Sequence, residues 1–423
     1  MKINIIPINA EIFTKFRVSM LFLSRCSVVL LLYGVAASMA LASLGAFLVL
    51  IFWALSLDWV RPWSRLRQLP IFWPMVLLPL MVLLGTSYSI APLEYAYRYF
   101  GVYSRCIIML IIISVINDEV WQRRCWIGFL FGAAVTLSST YLSIWIPLPW
   151  SQSQTTGLGT NHSVFYDYIA QGVMTSFLAV VSLSHVLTVP SVRLKLIWLS
   201  ILSIAVFSIT HLLVGRTGQV VCATALTVVI LVALPLRKAG IVLVVLIGLI
   251  AVLVMTSPMS AQRFNLILTN IQAYQQGQEM TSIGARLAMW GASINFYFDQ
   301  PIWGHGTGSY RVLAERTFTE PGMCAISCVH PHNQFLFFGV EHGLFGIFIY
   351  GWFLFGIAKV AMKVNDKYKL ILIGLLTIIL VDSFINSPLW ISSERNFYTA
   401  ILALSLTSFY LNKKYIKTGE NHK

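Results

Sequence analysis

Apolar residues fall in long unbroken runs along this chain, separated by short polar gaps. A run of about twenty apolar residues makes a helix of about 30 Å, the thickness of a bilayer's hydrocarbon core. The pattern predicts twelve such spans, near 18–38, 39–57, 71–87, 100–117, 125–147, 165–188, 194–213, 217–236, 239–256, 333–358, 370–386 and 396–412. The first two are hard to separate, because 18–57 is almost continuously apolar and neither Gly34 nor Ser43 offers a firm break. Barrel strands would alternate apolar and polar residues, and these runs do not. The reading is an all-α polytopic membrane protein. Spans one to nine lie in 1–256, one large loop in 257–332, and spans ten to twelve with a tail in 333–423.

Composition supports this class. Hydrophobic residues make up 58% of the 423 and charged ones 10%, against about 25% charged in a typical soluble protein. So few charges could not cover a soluble surface of this size. The formal charge of +14 would suit nucleic acid, but its distribution speaks against that. The basic residues sit in short gaps between apolar runs, where they act as topology signals. No cleavable leader stands out in Met1–Arg17 or the run after it.

Charge alternates from gap to gap. One set of gaps holds Lys2/Lys15/Arg17, Arg61/Arg65/Arg67, Arg123/Arg124, Arg193/Lys195, Arg237/Lys238, Lys359/Lys363/Lys367/Lys369 and Lys413/Lys414/Lys417/Lys423, or twenty of the 29 basic residues. The positive-inside rule makes these gaps, and both termini, cytoplasmic. The outward gaps contain Arg98, Arg216, Arg263, Arg286, Arg311, Arg316 and Arg395 and no lysine. An arginine fork binds phosphate bidentately. The bland alternative is a salt bridge or a lipid headgroup contact.

The large loop carries most of the candidate chemistry. In "GARLAMWGASINFYF" (284–298), Leu287, Trp290, Ile294 and Phe298 recur at helical spacing, which predicts an amphipathic helix at the interface. "WGHGTG" reads as a glycine turn more readily than as a phosphate cradle. Cys324 and Cys328 are a candidate disulfide if the loop faces an oxidising compartment. They precede "HPHNQ" (330–334). His330 and His332 lie two apart with Pro331 between them, no H-x-x-x-H or carboxylate-rich motif stands nearby, and the two cysteines that could join them are better paired with each other, so a metal site is not expected. At about 100° per residue, Gly339, Gly343 and Gly346 fall within roughly 40° of His332 on a continued helix, which turns the histidine into the bundle. It is then either poised for proton transfer or simply a polar start to the span. Glu341 falls on the opposite face. Asp167 begins the sixth span, and near-membrane carboxylates are costly. Asp382 lies inside the eleventh, where pairing with Asn386 or an arginine is the simpler role. A transporter would concentrate such groups at mid-membrane in a broken helix. Here they gather at the outer face, which favours an enzyme over a transporter or a structural protein.

These motifs resemble those of the O-antigen ligase/polymerase superfamily. "His-Asn, nine residues, Gly-Leu-Phe-Gly", from His332 to Gly346, is similar to the family signature. "ARLAMW" followed by "PIWGHGTG", "GTNHS" (159–163) and "GRTGQ" resemble its other conserved stretches, so the likeness covers roughly 155–350. The resemblance implies a GT-C-like fold in the bacterial inner membrane and a metal-independent glycosyltransferase needing no cofactor. Its active site would face the periplasm. The donor would be a glycan on undecaprenyl pyrophosphate and the acceptor, in ligases, a sugar hydroxyl of lipid A–core. His332 takes the position of the family's catalytic histidine, and Arg216 and Arg286 those of its pyrophosphate-binding arginines. Asp167, Asn333 and His330 would be supporting residues. Other members are O-antigen polymerases and protein O-oligosaccharyltransferases, and a lipid-linked glycan transporter is a remoter alternative. The chain's modest length and single large loop favour the ligase.

Overall fold

The computed structural model describes residues 10–59, 63, 66–277 and 280–419. Lys2, Arg61, Arg65 and Lys423, and the side chains of Arg263, Lys413, Lys414 and Lys417, lie outside the described residues. Every regular element among them is helical. In chain order these are α1 (Ala10–Ala37), α2 (Met39–Leu55), α3 (Phe72–Gly85), α4 (Leu93–Ser104), α5 (Ile107–Val115), α6 (Glu119–Leu142), α7 (Tyr168–Thr188), α8 (Val192–Phe207), α9 (Arg216–Ala233) and α10 (Leu236–Thr256). Then come α11 (Pro258–Gln275), α12 (Gly284–Asp299), α13 (Ser309–Thr317), α14 (Pro321–Ser327), α15 (Gln334–Ala361), α16 (Asp366–Ile385) and α17 (Ser392–Gly419). A π-helical turn, Ser208–Leu212, extends α8.

Nine helices of this chain, among the described residues, are long and apolar enough to cross a membrane, and α2 and α3 are shorter apolar helices. The break that the apolar run 18–57 hides is at Ser38. Its extended backbone reverses the chain, and its hydroxyl caps α2 by accepting from the Leu41 amide at 3.3 Å. Gly34 and Gly45 then let α1 and α2 lie backbone to backbone. The predicted span 100–117 is two helices, α4 and α5, beginning seven residues earlier.

The two kinds of gap separate to opposite ends of the bundle. At one end Arg17 pairs with Asp58 and Arg25 with Asp118. There Arg123, Glu119 and Lys367 also line one cavity of about 490 Å³. The other end holds the loop 257–332, which folds as α11 to α14.

α15 is not one straight helix. Gly343 has φ 60° and ψ −148°, a backbone only glycine adopts readily. The break frees the Val340 and Glu341 carbonyls and the Leu344 amide. The turn after α12 occupies all three: His305 donates to Val340 (2.9 Å), Gly306 donates to Glu341 (2.9 Å), and Leu344 donates to the Pro301 carbonyl (2.8 Å). A side chain at Gly304 would overlap the Glu341 backbone, so "WGHGTG" is glycine-rich because it fills a broken helix. The Glu341 carboxylate completes the joint by accepting from the Gly308 amide at 3.0 Å. The stripe expected on α12 is split: Ile294 and Phe298 are exposed, Leu287 and Trp290 are half-buried, and Gly284, Ala285, Ala288, Met289 and Ser293 are the buried residues. Small residues bring α12 close to α15, so the larger apolar ones are displaced outward.

Candidate active site

The segment before α15 is held as an irregular turn. Asn333 is the N-cap, with extended backbone, and its side-chain oxygen accepts from the Leu336 amide at 3.0 Å. Its amide nitrogen donates to the Phe384 carbonyl at 3.1 Å, tying the cap to α16. His332 precedes the cap at φ 50°. It is therefore not on the helix, and the face shared with Gly339, Gly343 and Gly346 does not exist. Gly343 breaks the helix, and Gly346 packs against its own Phe338 carbonyl across that break. His332 reaches the bundle by its left-handed backbone instead.

Three contacts fix the turn. Trp290 donates its indole N–H to the Pro331 carbonyl at 3.1 Å. The His332 amide donates to His330 Nδ1 at 3.3 Å. His332 Nδ1 meets Asn386 Oδ1 at 3.2 Å. The two imidazoles lie 4.2 Å apart between ring centres. Trp290 stands one helical turn after Arg286 on α12, so the Arg-x-x-x-Trp spacing puts both on the side facing this turn.

The electrostatics agree. Burial pushes the His332 imidazole down to about 4, and the neighbouring Arg286 guanidinium adds to the effect. Burial, His332 and Arg286 hold His330 well below the usual histidine range. Both rings are therefore neutral at neutral pH. Burial lowers Arg286, as does the nearby Arg216 charge, while Tyr168 and Asp382 partly offset this. Arg216, at the start of α9, reaches across to donate to the Ser282 hydroxyl at 3.0 Å. Arg216, Arg286, His330 and His332 thus share one site at the end of the bundle bearing the large loop. Two like-charged guanidiniums beside neutral imidazoles have the chemistry to bind a dianion.

Other predicted groups make contacts within the helices around this site. Asp167 caps α7, accepting from the Ile169 and Ala170 amides at 2.9 and 3.1 Å, and is exposed. Asp382 accepts from the Tyr398 hydroxyl at 2.8 Å. Cys324 and Cys328 are joined by a disulfide within one turn of α14. Among the outer arginines, Arg311 pairs with Glu315 and stacks on Tyr95, and Arg395 is buried and donates to the Leu389 and Trp390 carbonyls. No group of three or more His, Cys, Asp or Glu among the described residues is placed to hold a metal ion. Ser282 and Glu394 escaped sequence reasoning, and Asn386 was legible only as a partner for Asp382. Their one signal is polarity beside an apolar span, in "SSERN" and in the asparagine four residues after Asp382.

Comparison with known proteins adds to this geometry. A family model described as O-antigen ligase matches residues 199–351, which include Arg216, Arg286 and His332. The chain is also similar to the O-antigen ligase of Escherichia coli (strain K12), at 30% identity over 150 residues. The match covers 34% of this chain and 36% of that relative, so the chain spans about a third of the relative's length.

Proposed function

Because the chain belongs to the O-antigen ligase superfamily, we propose that it transfers an O-antigen glycan from undecaprenyl pyrophosphate to a sugar hydroxyl of lipid A–core. The site would face the periplasm of a bacterial inner membrane, with 257–332 as a periplasmic subdomain and both termini cytoplasmic. The observation that carries this reading is the meeting of Arg216 and Arg286 with a neutral His332.

The two arginines hold the donor pyrophosphate and neutralise the charge that grows as it leaves. The acceptor oxygen attacks the anomeric carbon, and the bond from that carbon to the phosphate oxygen breaks with its electron pair. The hydroxyl proton goes to, or is oriented by, His332. The glycosyl–pyrophosphate bond supplies the free energy, so no nucleotide enters. The proposed reaction calls on no metal ion. An apolar groove of about 810 Å³, lined by Phe207, Leu226, Ile230 and Leu253 among others, flanks the later half of α9 and would seat the lipid chain.

The test is reconstitution in proteoliposomes with an undecaprenyl-pyrophosphate glycan and three acceptors: lipid A–core, a second lipid-linked glycan, and a pilin-like protein. Glycan on lipid A–core is the expected result. Glycan on either other acceptor assigns polymerase or protein-transferase activity instead. His332→Ala should abolish transfer with membrane insertion intact, and full activity in that variant removes the histidine from the mechanism.

A further inference from the structure

The histidine is wired to two residues that neither the family motifs nor the proposed chemistry assigns. Asn386 follows α16 directly and is 1% exposed, and Glu394 stands in the first turn of α17 at 0%. Asn386 Nδ2 donates to both carboxylate oxygens of Glu394, at 2.9 and 3.0 Å. Asn386 Oδ1 faces His332 Nδ1 at 3.2 Å. The turn between the two residues is itself fixed. Gln334 accepts from the Leu389 amide, and the buried Arg395 donates to the Leu389 and Trp390 carbonyls.

An amide has chemically different ends. Rotating it by 180° would set Oδ1 against two carboxylate oxygens and leave its NH₂ facing the imidazole. With the proton of the hydrogen-bonded Asp382–Glu394 carboxyl pair held between those two groups, the Glu394 contacts select one orientation, with the oxygen toward His332. An oxygen there accepts only, so His332 Nδ1 must carry a hydrogen. A neutral imidazole with Nδ1–H has its lone pair on Nε2. We propose that Asn386, oriented by Glu394, is a positioning residue that sets the His332 tautomer and leaves Nε2 as the acceptor for the sugar hydroxyl. His330 is wired the opposite way. Its Nδ1 accepts from the His332 amide, so its neutral ring carries hydrogen on Nε2. The charged and titratable groups bearing directly on His332 are Arg286 from α12 and His330 from its own segment; Asp382 from α16 acts on Arg286, and Glu394 from α17 reaches His332 only through Asn386.

This inference rests on the reading of His332 as the group that takes or orients the hydroxyl proton. Nitrogen-15 NMR of histidine-labelled full-length protein in nanodiscs, with the His332 signals assigned by difference from His332→Gln, reads the tautomer directly. Nδ1–H in the wild type is expected, and Nε2–H overturns the proposal even if no variant at 386 or 394 folds. Glu394→Ala frees the amide to turn, so the His332 signals should shift toward the Nε2–H form. Its kcat should fall at least tenfold, within the ~10²–10⁴ that a general base contributes, with KM little changed. An unchanged tautomer with unchanged kcat overturns the role of Glu394. If His332→Ala transfers glycan at the wild-type rate, the catalytic reading fails. If that variant is inactive and the wild type shows Nε2–H, only the tautomer assignment fails.

Discussion

If His332 acts as a neutral imidazole, the rate of transfer should ignore the pH range in which an ordinary histidine titrates. Burial, helped by Arg286, lowers its pKa from the usual 6.5 to about 4. That difference is worth about 3 kcal/mol of preference for the neutral ring, at ~1.4 kcal/mol per unit. At pH 5.5 an ordinary imidazole keeps about a tenth of its neutral form, whereas one titrating near 4 keeps nearly all of it. Initial rates in proteoliposomes between pH 4.5 and 8 should therefore be flat through 6.5 and fall only toward the acid end. Stability follows the same sign. The folded pKa lies below the unfolded one, so the contribution is fully present above about pH 6.5. It is lost as pH falls toward 4, so an unfolding control at each pH is needed. Arg286→Gln removes a cause of the lowering, so the acid limb of its residual activity should move up. A wild-type acid limb centred near 6.5 with the fold intact, or activity that rises as the ring protonates, refutes the argument.

Three further outcomes follow from the same geometry. Arg216→Lys and Arg286→Lys should each cut kcat/KM by roughly tenfold or more, because an ammonium cannot make the bidentate fork, and wild-type rates in both would make these arginines structural. Gly343→Ala should destabilise the protein by about 3 kcal/mol or more, combining backbone strain with overlap on the Ile302 carbonyl. Gly351→Ala, in the same helix with open space around it, should be neutral or stabilising by up to about 1 kcal/mol; thermal unfolding in detergent separates the two. Trp290→Phe removes the donor to Pro331 and should lower transfer several-fold with little change in unfolding temperature, and an unaffected rate would show that the cap at Asn333 holds the turn alone.

Periodicity and charge made the architecture legible before any coordinates. An apolar run must become a helix inside a bilayer, because its backbone has no other way to satisfy its polar groups. Lysines mark one side of such a bundle whatever the packing. Topology left seven arginines in the outward gaps, and the family likeness of the motifs around them, rather than spacing, pointed to those at 216 and 286 and to the histidine at 332. What the linear pattern could not carry was conformation that depends on a distant partner. A helical count puts His332 on a glycine face, yet the bend at Gly343 and the left-handed turn at His332 exist because the loop 300–308 and Trp290 bind there. Half of the stripe on α12 pointed outward because smaller residues won the contact with α15. Asn386 and Glu394 are 54 and 62 positions beyond His332, and no spacing rule links them to it. Hydropathy acts on each residue where it stands and so is written in the sequence. A hydrogen bond between neighbours in space is decided only when three helices meet.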